Sequence, residues 1–466
     1  MIVNEQYYSG FNLYSIILRI IFIPIIKRYF NGIIRDAPES LALFLPSVNC
    51  KLHFGGTDER VIQSNKSDDI MPVTLLLHKP INFCFQILLD PKIGLGEAYM
   101  LEDWDVQSRI QDFLALLIRA KRYNAAIKLK QTNGWLRKLF NLLIYLIIRS
   151  IRSVMSLINV MQHYYRANSL YGSTKNIHEH YDLGNDMFNL FLDPSMTYSC
   201  AIFEVIPSYT ITHSDNKLLE EAQMRKYDRA FDIINLKSDD RILEIGCGWG
   251  ACAIRAVKYY GCQWTGLTIS MEQFKIAQQR ISDNGLQDKI NFKLLDYRLE
   301  NDVYDKIIAI EMIEAVGHEY LPQFFETIRD RLRPGGKAYL QAIICPNLNY
   351  ERYCRSSDFI KKHIFPGGHM PSEQAIREAL PPELTITKMI HIGHHYSPTL
   401  DLWYCAWNEH EEEILKLGYS KKFHRKWQFY FALCSALFRY SHINDVQILI
   451  EKSSFAPFNY IINSKS

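Results

Sequence analysis

The hydrophobic and polar positions of this chain divide it into stretches with different periods. Between residues 40 and 118, short apolar runs such as TLLLHK and INFCFQILL are separated by turn residues and read as β-strands. The segment LGEAYMLEDWDVQSRIQDFLALLIRA then begins a helix, so a small α+β domain is expected here. Over residues 138–159 the polar positions Lys138, Asn141, Tyr145, Arg149, Arg152 and Ser156 recur at steps of three or four, with Leu, Ile, Phe, Val and Met filling most of the rest. That spacing predicts a helix with one narrow basic face and one wide apolar face. From Lys217 onward strands alternate with helices: RILEI, a helix over 249–260, QWTGLTI, a helix, INFKLLD, YDKIIAIEMI, a helix and KAYLQAIIC. Such alternation indicates an α/β fold with a mainly parallel sheet and crossover helices. Beyond Cys345, ELTITKMIHI is strand-like and residues 420–439 read as a helix.

Composition sharpens this picture in three places. With 466 residues and 48% hydrophobic content the chain can bury a large core and is too long for one ordinary domain. The expected division is an apolar and basic N-terminal segment (1–39), the small α+β domain (40–118), a basic amphipathic helical linker (119–170) and the α/β domain (171–466). Net charge is only +3, which gives no reason to invoke nucleic acid as a partner, yet residues 113–178 hold eleven Lys or Arg and no Asp or Glu. That stretch would be drawn to an anionic membrane surface; a linker helix buried between domains is the competing reading. Its longest charge-free run, LFNLLIYLII, is shorter than the roughly 20 apolar residues that cross a bilayer. The apolar N-terminal run IILRIIFIPII is interrupted by Arg19 and Pro24, so an amphipathic or buried helix is expected, a membrane anchor being the alternative. The ten cysteines show no CxxC pair and no Cys/His set at zinc spacing, which suits free thiols in a reducing cytoplasm and gives no metal site.

Candidate chemistry starts where RILEI runs into GCGWG. Glu244, Gly246, Cys247, Gly248 and Gly250 then stand at the carboxyl end of the first strand of the α/β unit, where glycines let the backbone approach a ligand and the next helix points free N–H groups at it. This GxGxG, with an acid two residues before the first glycine, resembles the first motif of class I S-adenosylmethionine-dependent methyltransferases. The next strand ends GLTIS, without the acid that a nicotinamide site wants there. Gln273 has two readings: Ser270 caps the following helix with Gln273 reaching back in a capping box, or the amide bonds ribose hydroxyls. Asp296 and Tyr297 end the following strand on the same sheet edge, where a carboxylate can accept from an adenine amino group and a ring can lie on the base.

Three long segments make the resemblance specific: NIHEHYDLGNDMFNLFLDPSMTYSCAIFE (176–204), EMIEAVGHEYLPQFF (311–325) and FIKKHIFPGGHMPS (359–372). With LEIGCGWG and GLTIS at their present spacing they closely resemble the cyclopropane fatty acid synthase family, and LGEAYMLEDWDV resembles its N-terminal domain. The resemblance covers residues from about 40 to 455. It implies a Rossmann-like class I methyltransferase domain whose donor pocket is built from Tyr198, Ser199, the GCGWG loop, Thr268, Ser270, Gln273, Asp296 and Tyr297. It also implies a bound bicarbonate as general base, held by Cys200, Glu314, the backbone of Ile343 and Tyr396, with Cys434 close by. At the bicarbonate position, where many members carry His, this chain has Gln341, which donates a hydrogen bond but cannot become cationic. The implied substrate is a membrane phospholipid with unsaturated acyl chains, met peripherally from the cytoplasm, and a homodimer is compatible with the reading.

These residue types suit the implied chemistry. An alkene is a poor nucleophile, so the site must align its π bond with the sulfonium methyl, and positioning is worth about 7–11 kcal/mol. A base must then remove a proton from the new methyl before water reaches the cation. Each residue also has a plainer reading: Glu314 as a solvated loop acid, Tyr396 as a core residue with a satisfied hydroxyl, Cys200 and Cys434 as buried thiols. Competing functions are an acyl C-methyltransferase leaving a methyl or methylene branch, a small-molecule N-methyltransferase, and a lipid-binding protein with a decayed catalytic domain.

Overall fold

The computed structural model describes residues 13–34, 40–55, 73–127, 153–154, 157–161, 184–207 and 211–454. Most of the expected amphipathic helix over 138–159, and the first part of the 176–204 segment, lie outside the described residues. The chain divides into two compact units, Met1–Leu157 and Ile158–Ser466.

The first unit is built on a four-stranded sheet of β1 (Ser40–Leu45), β2 (Cys50–Gly55), β3 (Val73–Leu77) and β4 (Trp104–Val106) in the order β2-β1-β3-β4. β1 runs parallel to β3 and antiparallel to β2. Its apolar residues alternate, so Leu41, Leu43 and Leu45 are buried along with Val73, Leu75 and Leu77. The run INFCFQILL, expected as a strand, is a helix, Pro80–Leu89. Pro80 stands in the first turn, where its missing N–H costs nothing and its fixed φ favours a helix. Phe83, Cys84 and Ile87 then share the buried face while Phe85 stays exposed, a pattern that a continuous apolar run does not distinguish from a strand. The following segment is also broken: a helix Gly94–Met100, then β4, then the helix Ile110–Ile127, with Glu102 at φ +57° turning the chain between them. At the N-terminus a helical turn Leu13–Ile17 passes through a π turn into the helix Ile23–Ile34. Leu18, Ile26, Phe30 and Ile34 face inward while Ile20 and Ile21 remain exposed, so this element is amphipathic. Among the described residues no helix is long and apolar enough to cross a membrane.

The second unit contains seven strands: β5 (Arg241–Ile245), β6 (Gln263–Thr268), β7 (Ile290–Leu294), β8 (Tyr304–Ile310), β9 (Leu332–Ile344), β10 (Leu384–His391) and β11 (Asn444–Lys452). Their order is β10-β11-β9-β8-β5-β6-β7, and β11 alone runs against its neighbours. This is the expected α/β fold of Rossmann-like class I methyltransferase type with a mainly parallel sheet. Consecutive residues are buried on opposite faces. Ile242, Trp264, Phe292 and Ile308 pack under the helices Asn216–Ile234, Ala251–Tyr260 and Met271–Asp283; Leu243, Ile307, Ala342 and Ile448 pack under Leu321–Arg331 and Glu373–Ala379. The register sets Ile310 of β8 beside Gln341 of β9, and Gln341 beside Gln447 of β11. β11 was not foreseen; it brings Asp445 and Gln447 into the middle of the sheet.

Candidate active site

Strand β5 ends at the glycine loop, where Gly246, Gly248 and Gly250 hold φ of +84°, +51° and +84°. The N–H groups of Gly246 and Cys247 both bond the Leu267 carbonyl at 2.9 Å, folding the loop over the end of β6. A Cβ on Gly250 would lie 2.8 Å from Phe292 Cζ, and one on Gly248 would meet nothing within 4 Å, so Gly250 serves packing and Gly248 leaves space for a ligand. Glu244 lies buried beneath the loop, accepts from Trp264 Nε1 at 2.9 Å, and is pushed up to about 7 by burial.

The loop opens on a cavity of about 230 Å³. Of the residues expected at the donor, Tyr198, Ser199, Glu244, Gly246, Cys247, Gly248, Thr268, Gln273, Asp296 and Tyr297 line it; Gly250 and Ser270 do not. Gly250 precedes the helix Ala251–Tyr260, and Ser270 caps Met271–Asp283 by accepting from Gln273 N at 3.3 Å. The Gln273 side chain does not close the capping box: its Oε1 accepts from Thr268 Oγ1 at 3.0 Å. Asp296 is gripped by Arg298 through Nε at 2.8 Å and Nη2 at 2.6 Å, which holds its carboxylate rigidly at the end of β7. Backbone open to a ligand at Gly248, a buried carboxamide and a fixed carboxylate fit an adenosyl donor.

The same cavity also has an acidic wall: Glu311 and Glu314 line it. Glu311 follows β8, its N–H bonded to the Gln341 carbonyl at 2.8 Å, with its backbone at φ +49°, a conformation strained for a residue with a side chain. Three donors converge on its carboxylate. Cys200 N–H donates to Oε1 at 2.7 Å, Gln341 Nε2 to Oε1 at 2.9 Å, and the Tyr396 hydroxyl to Oε2 at 2.5 Å. Cys200 arrives because the irregular segment around it is pinned by side chains: Gln223 Nε2 bonds the Ser199 carbonyl at 2.9 Å, Ala201 N–H the Thr399 hydroxyl at 3.2 Å, and Phe203 N–H His395 Nδ1 at 3.2 Å. Tyr396 and Thr399 sit on the helix Gly393–Glu409. The Gln341 amide also donates to Asp445 Oδ2 at 3.0 Å, and Gln447 and Tyr339 donate to its oxygen, which sets which way the amide points.

Glu314 is placed differently. Its Oε1 accepts from Ile343 N–H at 2.5 Å, while Oε2 is buried without a hydrogen-bond partner among the described residues. Burial, reinforced by Glu311, pushes it up to about 8. Asp445 is raised well above the carboxylate range by burial and by Glu311. Glu311 is also raised by burial, with the Tyr396, Cys200 and Gln341 hydrogen bonds and the Lys226 charge pulling the other way. Lys226 is fully buried, its Nζ bonded to Ser199 Oγ at 2.5 Å and Gln223 Oε1 at 2.7 Å. The Cys200 thiol is raised by burial and by Asp445 and Glu311, so it is a neutral thiol and Cys200 contributes its N–H. Cys434 does not line the cavity; Asp358 is the charge beside it, and burial raises its thiol.

Sequence reasoning thus missed Glu311, Asp445 and Lys226. Glu311 stands three residues before Glu314 in EMIEAVG, and an acid immediately after a sheet strand was a signal for it. Phe365, Pro366, Gly367 and Gly368 also line the cavity. That loop is tied down where the Tyr350 hydroxyl bridges His318 Nδ1 at 2.7 Å and His369 Nε2 at 3.0 Å, and where His369 N–H bonds the Glu314 carbonyl at 2.8 Å.

Comparison with known proteins identifies the family. The profile of the mycolic acid cyclopropane synthetase family matches residues 168–448. The chain is 32% identical over 377 residues to the tuberculostearic acid methyltransferase UfaA1 of Mycobacterium tuberculosis, covering 80% of this chain and 82% of that protein. It is 32% identical over 392 residues to the cyclopropane-fatty-acyl-phospholipid synthase of Escherichia coli K12, covering 82% and 88%. The mycolic acid cyclopropane synthase CmaA1, solved with SAH and CTAB, superposes with a TM-score of 0.54 at 31% identity, over 60% of this chain and 98% of that one.

Proposed function

The chain belongs to the mycolic acid cyclopropane synthetase family of S-adenosylmethionine-dependent methyltransferases, and from that premise we propose that it methylates the cis double bond of unsaturated acyl chains in membrane phospholipids and closes a cyclopropane ring. The observation that carries this reading is a single cavity lined both by the glycine loop and by a carboxylate held by three donors. A donor site and a proton acceptor in one cavity are what methylene addition to an alkene requires. The donor supplies an electrophilic methyl on a sulfonium. The glycine loop and Asp296 orient it, and the buried walls keep water from the acyl cation. The name of the Escherichia coli relative supports a phospholipid substrate. The acid-free basic stretch over 113–178, and the exposed Ile20, Ile21 and Phe85 of the first unit, support peripheral contact with an anionic membrane.

The bicarbonate that the resemblance implies does not fit. Cys200 N–H, Gln341 and Tyr396 are already engaged by Glu311, and Ile343 N–H by Glu314. An anion entering there would displace a carboxylate and stand among Glu311, Glu314 and Asp445. The proton needs another acceptor.

Incubation with methyl-labelled S-adenosylmethionine and vesicles of unsaturated phospholipid tests the reading. Acyl chains that gain one methylene and lose the double bond are expected. Intact SAH affinity without label in the acyl chains would refute it. A labelled product with a methyl or methylene branch would favour the second ending, to which the methyltransferase name of one relative points.

A further inference from the structure

We propose that Glu311 is the catalytic base of this enzyme, its own carboxylate occupying the cradle that would otherwise hold an exogenous bicarbonate. The inference rests on the acyl-methylating reading above and names the group that completes it. Three observations carry it. First, Cys200, Gln341 and Tyr396, taken from the sequence as holders of an anion, all donate to one carboxylate within 2.9 Å, and that carboxylate lines the donor cavity. Second, Glu311 keeps φ +49°, so the chain accepts a strained backbone to aim this side chain where it stands. Third, the neighbouring acids are poor alternatives. Glu314 has one hydrogen-bonded oxygen and one buried oxygen without a partner among the described residues, and burial pushes it up to about 8. Asp445 is raised well above the usual range and shares the Gln341 amide that Glu311 uses. Of the three, Glu311 receives the most donors, the arrangement that most favours the ionised form.

The step balances. The S–CH3 bond breaks as the alkene π pair forms a bond to the methyl carbon, leaving a cation on the adjacent acyl carbon. Glu311 then takes a proton from that methyl, and the freed C–H pair closes the ring onto the cation. Glu311 ends as a neutral acid and returns the proton to solvent after product leaves. Positive charge passes from sulfur to carbon to proton, facing the carboxylate throughout.

Two variants test this. Glu311→Gln keeps the shape and removes the base; turnover should fall on the order of 10²–10⁴-fold with SAH affinity unchanged. Glu311→Gly suits the positive φ, so it relieves the backbone while opening the cradle, and its melting temperature should not fall. The first measurement needs no substrate: binding of ¹³C-labelled bicarbonate followed by NMR. The parent should show no saturable binding, and Glu311→Gly should bind. Saturable binding to the parent overturns the proposal. The second is turnover in buffer stripped of carbon dioxide. The parent rate should hold, and added formate or bicarbonate should raise the Glu311→Gly rate about tenfold or more, as expected of a restored base. A parent rate that collapses on stripping, or a Glu311→Gln enzyme near the parent rate, also overturns it. If the parent labels no acyl chain at all, the substrate reading falls, while the bicarbonate comparison still decides who occupies the cradle.

Discussion

The two walls of the cavity are built in opposite ways. The heart of the donor wall is contiguous in sequence: β5, the glycine loop and the helix after it fall within residues 241–260, and Thr268, Gln273 and Asp296 join it from around the ends of the next two strands. The acid wall gathers Cys200 from an irregular segment, Lys226 from a helix, Glu311 and Glu314 from the end of β8, Gln341 from β9, Tyr396 from a helix and Asp445 from β11. The difference follows from the tasks. Holding a donor of fixed shape needs a backbone that can approach it, which short motifs encode. Moving a proton needs a carboxylate whose affinity for it is set by burial and by donors from many elements.

Breaking the donor wall should cost the fold. In Gly250→Ala the new Cβ would sit 2.8 Å from Phe292 Cζ at φ +84°. Left-handed strain of about 1–2 kcal/mol adds to overpacking of about 1–3 kcal/mol, so both thermal stability and SAH affinity should fall. A variant that melts like the parent would show that the loop has more room than its contacts indicate.

Breaking the acid wall should spare the fold and change the pH response. Tyr396→Phe removes a hydrogen bond to a charged group, worth about 1.5–3 kcal/mol, so turnover should drop roughly 10- to 100-fold with SAH affinity intact. That hydrogen bond lowers the Glu311 pKa, against the burial that raises it. Its loss raises the pKa further. Because the base works ionised, the acid limb of the pH–rate profile should move to higher pH and the lost rate should partly return on raising pH. An unmoved limb would remove Glu311 from the proton transfer.

The smallest effect is expected at Glu314. Its pKa is pushed up to about 8 in the folded chain from an ordinary 4.5, so the folded state binds the proton more tightly than the unfolded one. The stability this proton contributes is present in full below pH 4.5 and is lost as pH rises through about 8. Glu314→Gln, which can still accept from Ile343 N–H, should match the parent near pH 4 and melt progressively higher than it as pH rises from there through about 8. It should also retain much more turnover than Glu311→Gln. Equal losses in the two variants would mean that the acids act as one unit.

The sequence by itself determined the alternation of strands and helices, the glycine loop and the helix cap at Ser270, because periodicity and capping act within a few residues. It also determined the family, through motifs that are each contiguous. Tertiary structure decided the rest. INFCFQILL became a helix because its apolar face had a core to meet and Pro80 opened its first turn. The acid held by three donors became Glu311 rather than Glu314, three residues away in the same motif. Its partners Cys200 and Tyr396 lie 111 and 85 positions from it, and Gln341 lies 104 from Asp445. Burial and hydrogen bonding set a proton affinity, and both depend on residues that only the folded chain brings together.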